Sequence, residues 1–207
     1  MKLLVFGATG GTGRALLDQG LAQGHQVTAF VRNPAALEPL DGLTIVRGNV
    51  TDAAAVRRVS AGHEAVLSAL GPRGGQYGVL PGGIRTILAA MGEAGIRRLI
   101  HVSSFGVGDS LAQMGWVARA VFVPLFLRKS LAEKEIEEEI IRASDRDWII
   151  VRPGGLVDGP RTGVYRCIID PQVKVSQPRI ARADVADFML KNLADEQFLH
   201  HAVGLTY

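Results

Sequence analysis

The chain has 207 residues, 47% of them hydrophobic and 21% charged, enough for one domain with a sizeable core and too apolar for a disordered segment. A net charge of +3 with no long Lys/Arg run argues against a nucleic-acid binder, which concentrates basic residues in a stripe. The single cysteine, Cys167, has no partner for an internal disulfide and no companions for a metal site, which fits a reducing compartment and no bound metal.

Apolar runs alternate with helical patterns along the chain. Lys2 to Phe6 reads as a buried parallel strand. A helix from Thr12 to Gln23 puts Leu16, Leu17 and Leu21 on one face and stops at Gly24. Strands are expected over Gln26–Val31 and Leu43–Arg47. Thr51 is placed to cap a short helix to Ser60, with Asp52 in its first turn. Ala65–Ala69 is the fourth strand, Ile84–Ala94 a helix ending near Gly95, and Arg98–Val102 the fifth strand. The apolar stretch 111–127 is interrupted by Arg119 and Pro124 and falls short of the roughly 20 residues that cross a bilayer. It reads as a lid over a flat apolar ligand, as a buried helix or as a self-association surface. Ser130–Ala143 is a charged helix, Asp147–Val151 the sixth strand, Ala183–Leu193 the last helix and Ala202–Tyr207 a closing strand. This order predicts an α/β fold, a Rossmann-type doubly wound parallel sheet in a single domain over residues 1–207. The N-terminus shows no signal peptide and no membrane span is expected, so a cytoplasmic protein is anticipated, monomeric or weakly self-associating.

Between the first strand and first helix stands GATGGTG, with glycines at Gly7, Gly10, Gly11 and Gly13. Gly7 permits the sharp turn, Gly10 lets a pyrophosphate approach the backbone, and Gly13 lets the helix pack on the strand. Free N–H groups at the start of the helix then face the anion. The position of the motif, after a strand and opening a helix, makes it a dinucleotide fingerprint. An NAD binder usually ends its second strand with Asp or Glu; here Arg32 stands in that region, and a guanidinium suits the 2′-phosphate of NADP(H). Arg14 either adds a second positive charge or is an exposed helix arginine. Asn49 and Val50, after the third strand, flank the adenine; Leu70, Gly71 and Arg73, after the fourth, border the ribose and phosphates.

A tyrosine–lysine dyad for passing a proton to a carbonyl needs Lys four residues after Tyr, and Tyr77, Tyr165 and Tyr207 all lack it. Ordinary alcohol–ketone chemistry by that dyad is therefore excluded. Ser104, after the fifth strand, is the candidate catalytic hydroxyl; Ser103 beside it borders the cofactor in a mainly structural role. His101 reads as a packed core histidine. Lys134 and Glu138 read as an i,i+4 ion pair on a solvated face, because EKEIEEE has the composition of a surface. Arg182 and Asp184 are expected to organise the start of the last helix.

The segments GATGGTGR, VRNP, GNVTD, HVSSFG, DWIIVRPGGL, TGVY and RIARADVADFML, spread over nearly the whole chain, resemble the atypical short-chain dehydrogenases with an NmrA-like NAD(P)-binding fold, and among them the biliverdin-IXβ (flavin) reductases. The resemblance implies that Gly7, Thr9, Gly10, Thr12 and Gly13 hold the pyrophosphate, Arg32 the 2′-phosphate, and Pro153, Gly154 and Leu156 the nicotinamide carboxamide, with Ser104 near the nicotinamide. It implies an NADPH-dependent reductase of a planar small-molecule acceptor: flavin (FMN), a biliverdin-like tetrapyrrole or a quinone. The alternative within the same group is an NADP(H)-binding sensor or assembly protein without turnover. Two departures stand out: Pro153-Gly154-Gly155 replaces the Pro-Pro-His usual in those reductases, and Asn49 replaces a common aspartate.

Overall fold

Hydrophobic side chains that alternate between the two faces of a strand need cover on both sides, and the chain supplies it with helices. The computed structural model describes all residues except 72–77, 117–119, 121–126 and 177. In chain order the elements are β1 (Lys2–Phe6), α1 (Gly11–Ala22), β2 (Gln26–Val31), β3 (Leu43–Arg47), α2 (Ala53–Ser60), β4 (Ala65–Ser68), α3 (Leu80–Ala94), β5 (Arg98–Val102), α4 (Arg128–Arg142), β6 (Asp147–Pro153), β7 (Gly155–Val157), β8 (Arg166–Ile168), β9 (Arg179–Ala181), α5 (Arg182–Lys191) and β10 (Ala202–Thr206). Eight strands form one sheet in the order β3-β2-β1-β4-β5-β6-β10-β8, and β7 pairs with β9 in a two-stranded sheet. The first six strands carry the doubly wound order of a Rossmann fold. Of the eight strands only β8 runs antiparallel, against β10.

The pleat divides the core in two. Leu3, Val5, Leu67, Ile100, Ile149 and Val203 pack with Leu16 and Leu17 of α1 and Val185 and Met189 of α5. Leu4, Phe6, Val66, Leu99 and Ile150 pack on the other face with Val56 of α2, Ile84 and Met91 of α3 and Ile141 of α4. The β1 register, Phe6 beside Phe30 of β2 and Ser68 of β4, aligns the carboxyl ends of these strands at one edge, where ligands bind in such sheets.

Each strand and helix expected from the sequence is present, with ends shifted by a few residues. Two local readings change. The cap of α2 is Asp52, whose carboxylate accepts from Ala55 N at 3.0 Å; Thr51 lies one residue too early. The segments β7, β8 and β9 were not foreseen, since three residues are too few to display a period.

Candidate functional site

The site begins where β1 meets α1. Gly7 has φ +78, a left-handed conformation strained for other residues, and a Cβ there would strike the carbonyl of Ala69. A Cβ at Gly13 would strike the carbonyl of Gly7 and the Cα of Ala8, so α1 starts as close to the turn as backbone allows. Gly10, the N-cap of α1, offers no side-chain hydrogen bond, and no acid stands in the first turn. The α2 and α3 termini differ. Asp52 caps α2, and the Glu133 carboxylate receives Gly78 N and Leu80 N, at 2.7 and 3.2 Å, ahead of α3. The α1 terminus is therefore a cradle with the N–H groups and dipole that suit a diphosphate, and the residues present fit a dinucleotide.

A cleft runs from this turn along the carboxyl edge. Gly7, Thr9, Gly10, Gly11, Thr12, Arg32, Asn49, Val50, Leu70, Gly71 and Leu156 line it together, which joins most of the expected cofactor residues in one place. Arg32 is exposed at the end of β2, and among the described residues no carboxylate pairs with it. Gly13 lies beneath the turn rather than on the cleft wall. Arg14 points away and donates to Ala36 O at 2.7 Å, tying α1 to the loop after β2. Arg73 and most of the apolar stretch 111–127 lie outside the described residues.

The carboxyl ends of β5 and β6 are arranged differently from the expectation. Ser103 is buried and donates to Glu138 Oε1 at 2.6 Å, so its hydroxyl turns away from the cleft toward α4. Ser104 is partly buried, its hydroxyl donates to Phe105 O at 3.2 Å, and it is not among the residues that line the cleft. Pro153 and Gly154 do not line the cleft. A Cβ on Gly154 would collide with Pro178, so this glycine serves the packing of the segment before β9.

The largest correction concerns EKEIEEE. Glu133, Lys134, Glu137 and Glu138 are buried, not solvated, because positions i, i+1, i+4 and i+5 of α4 form one face and that face meets polar strand ends. Lys134 Nζ donates to Leu70 O (2.8 Å), Val102 O (3.0 Å) and Glu137 Oε2 (3.2 Å). Glu138 takes both Nε (2.9 Å) and Nη2 (2.7 Å) of Arg152, which also reaches Asp109. His101 is a core histidine as expected, but it stands in this network, with Nδ1 3.0 Å from Ser68 Oγ and Nε2 3.1 Å from Glu137 Oε2. Lys134 thus clasps the ends of β4 and β5, and Leu70 is itself a wall of the cleft. The only sequence signal for this was the coincidence of unusual polar residues, Ser68, His101 and Arg152, at the ends of otherwise apolar strands.

Burial pulls the His101 imidazole below its ordinary 6.5, with Lys134 adding repulsion and the Glu137 and Glu138 carboxylates opposing. The unfolded chain takes up that proton near 6.5 and the folded chain resists it. The His101 contribution is therefore complete above 6.5 and declines as pH falls below it. Burial raises Glu137, but His101 and Lys134 outweigh it and leave the carboxyl below its ordinary 4.5, so its contribution is lost in a second, more acid window. Urea midpoints measured from about pH 8 to about pH 5 should fall through the first window, and His101→Gln should flatten that part of the curve. An unchanged slope in the variant would remove His101 from the account.

At α5, the expected organising pair divides. Asp184 accepts from Thr162 N and Gly163 N, each at 2.8 Å, and from Tyr207 OH at 2.7 Å, which fastens the 162–163 turn and the last residue of the chain to the helix. Arg182 instead leans into the cleft.

Comparison with known proteins agrees with this geometry. Residues 7–196 match the model of an NAD(P)H-binding family. The chain is 30% identical to an uncharacterized chloroplast protein of Arabidopsis thaliana, over 95% of this chain and 73% of that protein. The anaerobilin reductase ChuY of Escherichia coli O157:H7 superimposes with a TM-score of 0.83 at 29% identity, covering 100% of this chain and 97% of that one. A short-chain dehydrogenase/reductase of Veillonella parvula solved with NADP superimposes with a TM-score of 0.86 at 18% identity, over 100% and 94%, a likeness of fold. Among the described residues, no helix is long and apolar enough to cross a membrane.

Proposed function

The chain belongs to the NAD(P)H-binding family and is an NAD(P)H-dependent oxidoreductase; from that premise we propose that it is an NADPH-dependent reductase of a planar, delocalised acceptor, with a linear tetrapyrrole first, then a flavin or quinone. The observation that carries the cofactor choice is the cleft itself, which joins the glycine cradle to Arg32 at the end of β2, a guanidinium that pairs with no carboxylate among the described residues. When bound, NADPH supplies a hydride from its dihydronicotinamide ring. The glycine turn holds the diphosphate, Arg32 meets the 2′-phosphate, and Asn49 and Val50 flank the adenine. Leu156, on the cleft wall, is assigned to the nicotinamide end of the site, and Ser104, in the loop after β5, to orienting the reacting pair.

The choice of acceptor rests on what the chain lacks as a proton donor. Ser130, not Tyr, stands four residues before Lys134, and the Lys134 ammonium is committed to two backbone carbonyls and Glu137. A conjugated acceptor spreads the charge it receives and takes its proton from water, so the protein's contribution is orientation. Similarity to an anaerobilin reductase supports placing tetrapyrroles first.

The test is NADPH oxidation under anaerobic conditions with biliverdin, FMN and a quinone, in wild type and Ser104→Ala. Acceptor-dependent oxidation is expected, reduced about tenfold or more in the variant by lost orientation. NADPH that binds and is oxidised by none of the three would overturn the reductase reading. Separately, Arg32→Glu should weaken NADPH by about 10- to 100-fold while leaving NADH unchanged or better bound. Retained NADPH preference in that variant would remove Arg32 from the 2′-phosphate site.

A further inference from the structure

Arg182 opens α5 directly after β9, and Asp158 directly follows β7. Those two strands pair in parallel with Val157 opposite Ala181, so the register itself sets Asp158 and Arg182 side by side. They meet at 2.6 Å, with 93% of the Asp158 side chain exposed. The Arg182 stem also lies across the glycine turn: a Cβ on Gly11 would collide with its Cδ. It shares the cleft wall with Thr9, Gly10, Gly11 and Thr12, at the end of α1 whose N-cap Gly10 brings no side-chain hydrogen bond and whose first turn carries no acid.

A guanidinium laid over a helix start suited to an anion is held there by an exposed carboxylate. Exposed pairs contribute little, being screened by water, whereas a diphosphate offers Arg a forked, doubly charged partner. We infer that Arg182 is a diphosphate-binding residue of this chain, and that Asp158 is an internal competitor that Arg182 exchanges for the diphosphate of NADP(H) when the dinucleotide binds. The inference rests on the cleft being the dinucleotide site. Two cations then divide the ligand: Arg32 meets the 2′-phosphate at one end and Arg182 the diphosphate at the middle. Asp158 sets the affinity, because its pairing with Arg182 must break before the diphosphate is held.

The experiment titrates NADP+ and adenosine 2′-monophosphate, which lacks the diphosphate, into wild type, Arg182→Met, Asp158→Asn and the double variant by calorimetry, with circular dichroism to confirm folding. Arg182→Met should weaken NADP+ by about tenfold or more and leave adenosine 2′-monophosphate within about twofold. Asp158→Asn should tighten NADP+ by up to about fivefold, and that gain should vanish in the double variant. Equal losses for both ligands in Arg182→Met, or an Asp158→Asn effect that persists without Arg182, would overturn the inference. A folded wild type that binds neither ligand would overturn the dinucleotide reading of the cleft, and this inference with it. Wild type that binds both, with variants that match it, would overturn this inference alone.

Discussion

Arg152→Met should lower the unfolding free energy of this chain by about 3–5 kcal/mol, read as a shift of the urea midpoint at constant slope. Arg152 and Glu138 have side chains only 5% and 3% exposed and face each other through two hydrogen bonds. Removing the guanidinium leaves the Glu138 carboxylate buried with, among the described residues, only Ser103 and a 3.4 Å contact from Arg142. That residue of charge, not the lost attraction, carries most of the cost. The double variant Arg152→Met/Glu138→Leu should therefore be less destabilised than the sum of the single changes. A strictly additive pair would show that the two groups are not coupled. Asp109, at 60% exposure, can turn to water when Arg152 is removed and adds little to the penalty.

Gly13→Ala should weaken NADP(H) binding by about a hundredfold, because displacing the start of α1 by a fraction of an ångström misplaces every N–H that faces the diphosphate. The atoms that an added Cβ meets are the Gly7 carbonyl and the Ala8 Cα, backbone that cannot rotate aside. The overpacking also costs about 1–3 kcal/mol of stability. Gly92→Ala is the control. Gly92 lies inside α3, is exposed, and has open space where a Cβ would go, so it should stabilise by about 0.5–1 kcal/mol and leave binding unchanged. Calorimetric binding and urea unfolding on both variants check this. Gly13→Ala with wild-type affinity would show that the helix start does not hold the dinucleotide.

The legible part of this protein was whatever a residue's near neighbours decide. The apolar runs of β1 to β6 and the glycine spacing at 7, 10 and 13 are local, since a strand, a left-handed turn and a close helix start each involve a few consecutive residues. From them came the sheet, the edge at which ligands bind, and the glycines and loop residues of the cleft up to Gly71, whereas Thr9, Thr12 and Leu156 were implied only by the family resemblance. Arg32 was legible for the same reason: it sits at the end of a strand whose neighbour carries the glycine turn.

What the chain order could not show was which charges meet. The face of α4 that carries Glu133, Lys134, Glu137 and Glu138 has the composition of a solvated surface, and only folding brings it to His101, Arg152, Leu70 and Val102. Arg182 and Asp158 become partners through the pairing of two three-residue strands too short to announce themselves. The sequence by itself determined the doubly wound sheet and its nucleotide cradle, because hydrophobic period and glycine geometry act within a few residues. The tertiary structure alone decided which charged side chains are buried and paired, because a charge leaves water only where partners distant in the chain replace its solvent.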